Sequence, residues 1–215
     1  SGNISSALGV TDMAMMLINA TSGVEVGTIN QYRQIETLHK PLMFVLNRID
    51  HEKADFENTI TNLKEFYGNK IMPIQYPMGS GLAFDGIIDV LKQKMYKWKP
   101  GATAPEVLDI PANEKDKADE YYHVLLEAAA ENDETLMEKY FDQGSLTEEE
   151  MLDGIQKGMI SRSVYPVFCV SAEKNIAVHR LMNFLCLAAP SPNQVPAPQN
   201  TDGDVIEPDS SAPTS

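Results

Sequence analysis

The stretch Leu42-Met43-Phe44-Val45-Leu46-Asn47-Arg48-Ile49-Asp50 decides the fold. Five consecutive apolar residues without polar alternation predict a strand covered on both faces, as in a parallel sheet sandwiched by helices. The run ends in an amide and, three residues later, a carboxylate. A second such run, residues 164–170, ends in Ser171-Ala172-Glu173. Ligands of open α/β sheets sit beyond the carboxyl ends of the strands. Both polar tails therefore fall where a ligand would be held.

Outward from this stretch the chain keeps one rhythm. Residues 14–19 form another continuous apolar run, read as a buried parallel strand that Thr21-Ser22-Gly23 breaks. Residues 26–38 read as a helix. Asp55 can cap a helix over 56–67, in which Phe56, Ile60, Leu63 and Tyr67 make one apolar stripe and Gly68 supplies the stop. Residues 71–76 are a third strand candidate. Strands alternating with helices through short loops argue for a mostly parallel, doubly wound α/β sheet.

After residue 76 the alternation stops. Residues 77–81 (Pro-Met-Gly-Ser-Gly) make a turn, and the mixed pattern of 86–98 fits either a strand hairpin or a short helix. Residues 116–131 and 133–141 read as helices. Thr147 with Glu150 forms a capping box for a third, over 148–160. The strand 164–170 then resumes the α/β pattern. It leads into a helix over 176–187, with Val178, Leu181, Met182 and Leu185 expected inward. Beyond residue 189 the composition turns to Pro, Ser, Asn and Gln, which predicts a linker or a disordered tail. The expected organisation is a core from residues 1–76 and 161–189, an α+β insert at 77–160, and a linker at 190–215.

The net charge of −14 is concentrated. Residues 101–160 hold sixteen carboxylates and four lysines, a net of −12. Such a field repels nucleic-acid phosphates, so no direct nucleic-acid grip is expected from this chain. The acidic stretch is either a separate lobe or a solvated face, and the broken rhythm favours the lobe. The two cysteines, Cys169 and Cys186, both lie in apolar runs and are expected to be buried thiols. No Cys/His spacing suits a metal, and the chain reads as reduced and cytoplasmic. No apolar stretch is long enough for a membrane span.

Asp50 is the sharpest candidate for chemistry. Guanine presents two adjacent N–H donors, the ring N1–H and the exocyclic amine, and one carboxylate can accept both. Adenine presents a different pattern at that edge. Charge-assisted bonds of this kind are worth roughly 1.5–3 kcal/mol each. The bland alternative is a loop or cap carboxylate. Asn47 can order the loop and reach N7, or simply make an Asx turn. Arg48 can lay its guanidinium over the base, or be a solvated surface arginine. Ser171 and Ala172 offer a hydroxyl and a backbone N–H for O6. Glu173 belongs to the same loop and can instead cap the following helix.

What is missing counts equally. The sequence has no G-x-x-x-x-G-K-[ST] loop, and no Ser/Thr–Asp pair for magnesium is evident. His39, His51, His123 and His179 are scattered away from any evident nucleophile. No catalytic residue and no metal ligand is assigned. The chain by itself is expected to bind GTP poorly, to hold no cofactor and to hydrolyse nothing.

An ordered series of motifs resembles bacterial elongation factor G. Residues 4–12 (Ile-Ser-Ser-Ala-Leu-Gly-Val-Thr-Asp) are similar to the segment after switch II, and residues 22–28 continue the match. Asn47-Arg48-Ile49-Asp50 is similar to the Asn-Lys-x-Asp guanine-recognition motif, with Ala54-Asp55-Phe56 following it. Residues 73–79 and 84–89 resemble the entry to the G′ subdomain. Ser171-Ala172 resembles the second base-contacting loop, and Pro190-Ser191-Pro192 the exit toward domain II. The resemblance implies a partial P-loop GTPase-type sheet interrupted by an acidic insert. It also implies a parent that uses GTP/GDP with Mg²⁺, hydrolyses GTP on the ribosome and drives translocation. The G′-like insert would dock the large-subunit stalk proteins.

Three departures stand out: Arg48 where lysine is usual, Val170 where glycine often sits, and the acidity of the insert. The acidity of the insert suggests a divergent paralogue. The alternatives are a ribosome- or stalk-protein docking module without nucleotide binding, and a ribosome-protection-type GTPase relative.

Overall fold

The computed structural model describes residues 2–79, 81–195, 197 and 205. The chain begins with α1 (Gly2–Val10) and continues through β1 (Ala14–Asn19), α2 (Val26–Thr37), β2 (Leu42–Asn47) and α3 (Phe56–Tyr67). Next come β3 (Ile71–Pro73), β4 (Gln75–Met78), β5 (Gly86–Asp89), β6 (Lys94–Lys97) and β7 (Glu106–Leu108). The helices α4 (Lys115–Ala130), α5 (Glu134–Gln143) and α6 (Glu148–Ser161) follow, and β8 (Tyr165–Val170) and α7 (Val178–Ala188) are the last elements among the described residues.

Two sheets result. The first is wholly parallel in the order β1-β2-β8-β3, and the second is an antiparallel meander in the order β4-β5-β6-β7. All six residues of β8 are buried, as are the first five of β2. This is what continuous apolar runs require when helices cover both faces. On one face Phe44 stacks on Tyr67 of α3 with ring centroids 5.1 Å apart, and Tyr32 of α2 packs at 4.3 Å from Tyr67. On the other face Phe168 meets Phe184 of α7 at 4.8 Å. Burial pushes the Tyr67 hydroxyl up to about 12 and raises the Cys169 thiol far above its ordinary value.

Several helix ends follow from the sequence directly. Asp55 accepts the Asn58 N–H at 2.9 Å, and α3 ends at Gly68 with φ 74°. Thr147 and Glu150 form the reciprocal capping box on α6. Asp133 caps α5 by accepting from Thr135 and Leu136. The Lys157 ammonium, bonded to Asp133, holds that carboxyl below its usual range.

The structure corrects three expectations and decides a fourth. The run 14–19 is parallel but is not covered on both faces: Met15 and Leu17 are 45% and 59% exposed, because β1 ends the sheet. The apolar run 71–76 is not one strand. The chain leaves the first sheet at Ile74, whose N–H is donated to Val167 O, and Gln75 opens the second. The hairpin, rather than a helix, occupies 86–97. On α7, Leu181, Phe184 and Ala188 face inward, so Met182 is 51% exposed and Cys186 is exposed rather than buried. A thiol-specific reagent under native conditions is therefore expected to label Cys186 at once and Cys169 only after unfolding. Mass spectrometry of the labelled peptides would decide it, and equal labelling would refute the burial pattern.

Most of the expected tail, 190–215, lies outside the described residues. Its first part is anchored: Gln194 donates to the Gln156 side chain, and Gln156 reaches the last carbonyls of α7.

Candidate guanine-binding site

Register builds the site. β2 and β8 are parallel neighbours, and Asn47 pairs with Val170. Their continuations, residues 48–50 and 171–175, therefore emerge side by side at the carboxyl edge of the sheet. A turn follows each. Arg48 adopts φ 66° and its carbonyl accepts from His51 N–H at 3.0 Å. Ser171 and Ile176 exchange two backbone hydrogen bonds, closing a tight loop around 172–175.

Asn47 joins the two tails. Its Oδ1 accepts from Arg48 N–H at 2.8 Å and from Ala172 N–H at 3.1 Å. The Ile49 N–H is donated to Val170 O at 3.4 Å, which buries Ile49 beneath the loop. Asp50 is half-buried between the tails. Arg48, Ala172 and Glu173 are exposed, and Ser171 is fully buried. The Ser171 hydroxyl accepts the Lys174 N–H at 3.3 Å, so it shapes the loop. Glu173 does not cap α7, whose N-cap is Ala177 with no side-chain cap bond.

All six residues singled out in the sequence thus lie on one edge of the sheet. The geometry adds two residues that sequence reasoning missed. Lys174 places its ammonium 3.4 Å from Asp50 Oδ2. Asn19, at the end of β1 and opposite Asn47 in register, accepts from Thr21 through both backbone and side chain and fixes the neighbouring turn. Lys174 carries no sequence signal, because only the adjacency of β2 and β8 brings it to Asp50. Asn19 ends an apolar run as Asn47 does, and that parallel was available.

Chemically, the edge offers one carboxylate acceptor with a polar loop beside it and a flat guanidinium exposed at its rim. Such an edge can accept N–H donors at Asp50 and cover one face of a planar ring with Arg48, whereas the Ala172 N–H that the sequence offered to O6 is donated to Asn47 and the Ser171 hydroxyl is buried. Among the described residues there is no group of three or more His, Cys, Asp or Glu able to hold a metal ion, and no helix long and apolar enough to cross a membrane.

Comparison with known proteins agrees with this architecture. Residues 1–191 match the family model of the elongation factor Tu GTP binding domain. The chain is similar to elongation factor G of Amoebophilus asiaticus (strain 5a2), with 36% identity over 205 residues. These are 94% of this chain but 29% of that relative, so the chain spans under a third of its length. A crystal structure of a Thermus thermophilus protein superposes with a TM-score of 0.81 at 30% identity, covering 89% of this chain and 28% of that one. With the fold, the register and the family match in agreement, the chain belongs to the family of elongation factor Tu GTP-binding domains.

Proposed function

We propose that this chain is the guanine-recognising part of a GTP-hydrolysing translation elongation factor that works in ribosomal translocation in the cytoplasm. The observation that carries the reading is the Asn47–Ala172 hydrogen bond of 3.1 Å, which locks the two tails together with Asp50 between them. In this reading the Asp50 carboxylate accepts the N1–H and the 2-amino group. Arg48 covers one face of the ring, Asn47 orders both loops, and the 171–173 loop, with Ser171 at its root and Glu173 at its outer side, surrounds O6. GTP with Mg²⁺, bound by the longer protein, supplies the transferable phosphoryl group. The residues of this chain bind and orient the base and contribute nothing to bond cleavage.

Asp50→Asn is the test. It loses one charge-assisted bond and presents an N–H where guanine also presents one. Guanosine affinity is expected to fall by about tenfold to a hundredfold, from roughly 1.5–3 kcal/mol. Xanthosine, which carries an oxygen in place of the 2-amino group, is expected to gain. Amide shifts of Arg48 and Ala172 during titration report both. Unchanged guanosine affinity would remove the assignment.

A second reading concerns residues 77–160. The helices of that region expose Val124 and Phe141 among many carboxylates, and β7 exposes Val107. Together these support a role in docking the stalk proteins of the large ribosomal subunit. Titration with purified stalk protein, run beside the guanosine titration, separates the two. A complex with stalk protein and no guanosine response would leave docking as the chain's one activity.

A further inference from the structure

Asp50 already has a partner. Lys174 Nζ lies 3.4 Å from its Oδ2, with the carboxylate side chain 14% exposed and the lysine side chain 44% exposed. An ammonium at Oδ2 competes with the two base donors for the lone pairs of a carboxylate that is mostly shielded from solvent. The backbone of Lys174 is held, because its N–H is donated to Ser171 Oγ. The side chain is not confined. It lines a cleft of about 680 Å³ that opens toward the second sheet, bounded also by Phe84, Asp85, Trp98 and Asn175. Asp85 is half-exposed on that cleft and already paired at 3.1 Å with Lys97, which does not line it, so the cleft offers the Lys174 ammonium open space and solvent rather than a free carboxylate.

We propose that Lys174 is an internal placeholder for the guanine edge. In the empty site its ammonium neutralises Asp50 and keeps the carboxylate oriented. When the base arrives the ammonium swings into the Asp85 cleft, and the two base donors take its place. This rests on the reading of Asp50 as the base acceptor. The consequence is a competition built into the site: every guanine must displace one ion pair, so Lys174 lowers affinity and sets how salt affects it. The swing also carries a positive charge away from the base site into the cleft.

Guanosine is the probe, because it carries no charge. Any salt dependence of its binding then reports on groups of the protein. The 215-residue chain and its Lys174→Met variant, which keeps the methylenes, are titrated with guanosine, and the Arg48 and Ala172 amides are followed by NMR. The salt is raised from about 0.01 M to about 1 M, where the screening length falls from about 30 Å to about 3 Å. At low salt K174M is expected to bind about two- to fivefold more tightly, the range of a partly exposed ion pair. The wild type is expected to gain affinity with salt relative to K174M and to approach it at the high end. Weaker binding by K174M, or equal binding with parallel salt dependence, would overturn the placeholder role. Asp50→Ala run alongside isolates the underlying reading. If guanosine shifts survive in D50A, or are missing in the wild type and K174M alike, the base site itself fails and the placeholder with it. If D50A abolishes them while K174M behaves as wild type, only the placeholder fails.

Discussion

Asp89→Ala is expected to lower the unfolding free energy by about 3–5 kcal/mol, the range for removing one partner of a buried ion pair. Asp89 closes β5 and its side chain is 5% exposed. Arg180, in the first turn of α7, is 16% exposed and donates Nη2–H to Asp89 Oδ2. The other carboxylate oxygen accepts the Lys92 N–H at 2.9 Å, and the guanidinium lies over the Tyr96 ring, 4.4 Å from its centroid. Alanine would strip the turn of its acceptor and leave a guanidinium charge without its counter-ion. Among the described residues Arg180 Nε has no hydrogen-bond partner, and Asp89 is the carboxylate with which the guanidinium pairs. The loss is a large fraction of an ordinary domain stability of about 5–15 kcal/mol. The pair also joins the two sheets: α7 follows the base loop, while β5 belongs to the meander. Urea unfolding should show the drop, and R180M should show a similar one. The double variant D89A/R180M should recover part of it, because neither charge is then stranded. Single-variant costs below about 1 kcal/mol would mean that the pair is solvated after all.

Gly154→Ala should be nearly as damaging, although alanine is the better helix former by about 1 kcal/mol. Gly154 lies in α6 where that helix touches α4. A Cβ there would stand 2.3 Å from Ala129 O and 2.8 Å from its carbonyl carbon. These are backbone atoms, which no rotamer change can move away. The helices must separate, and Leu125, Ala129, Met151 and Ile155, all buried, lose packing with them. Overpacking of this kind costs about 1–3 kcal/mol and occasionally more. A net loss of about 2 kcal/mol is expected, read as a lowered thermal midpoint. Gly27→Ala is the control. It makes the same exchange in α2, where a Cβ meets nothing within 4 Å, and should be neutral or stabilising by up to about 1 kcal/mol. If both variants melted alike, close approach of α4 and α6 would not be a property of the protein.

These two contacts show where sequence reading stops. The helix α3 was legible because its stripe, its Asp55 cap and its Gly68 stop all lie within one local segment. The capping box of α6 was legible for the same reason. Periodicity cannot show which neighbour a glycine approaches, so nothing around Gly154 marks it as different from Gly27. The run 71–76 misleads in a related way. Apolar residues in series predict burial, but they do not say that burial is shared between two sheets on either side of Ile74. On α7 the apolar residues outnumber the positions that face the sheet. The sequence offered Met182 and Cys186 as readily as Phe184, and only packing against Phe168 selects between them.

For the candidate site, the chain's own sequence determined the chemistry available: an amide and a carboxylate after one buried strand, and a small polar loop after another. These are consequences of local order, since short tails at strand ends must meet solvent or ligand. Tertiary structure decided that the two tails are one place. The parallel pairing of β2 with β8, in the register Asn47 to Val170, bridges more than a hundred residues of intervening chain, most of which folds into the meander and its helices. It also decided that Lys174 stands against Asp50. The physical reason is that hydrogen-bond register between strands is set by core packing over the whole sheet, whereas strand ends and caps are set by the few residues that form them.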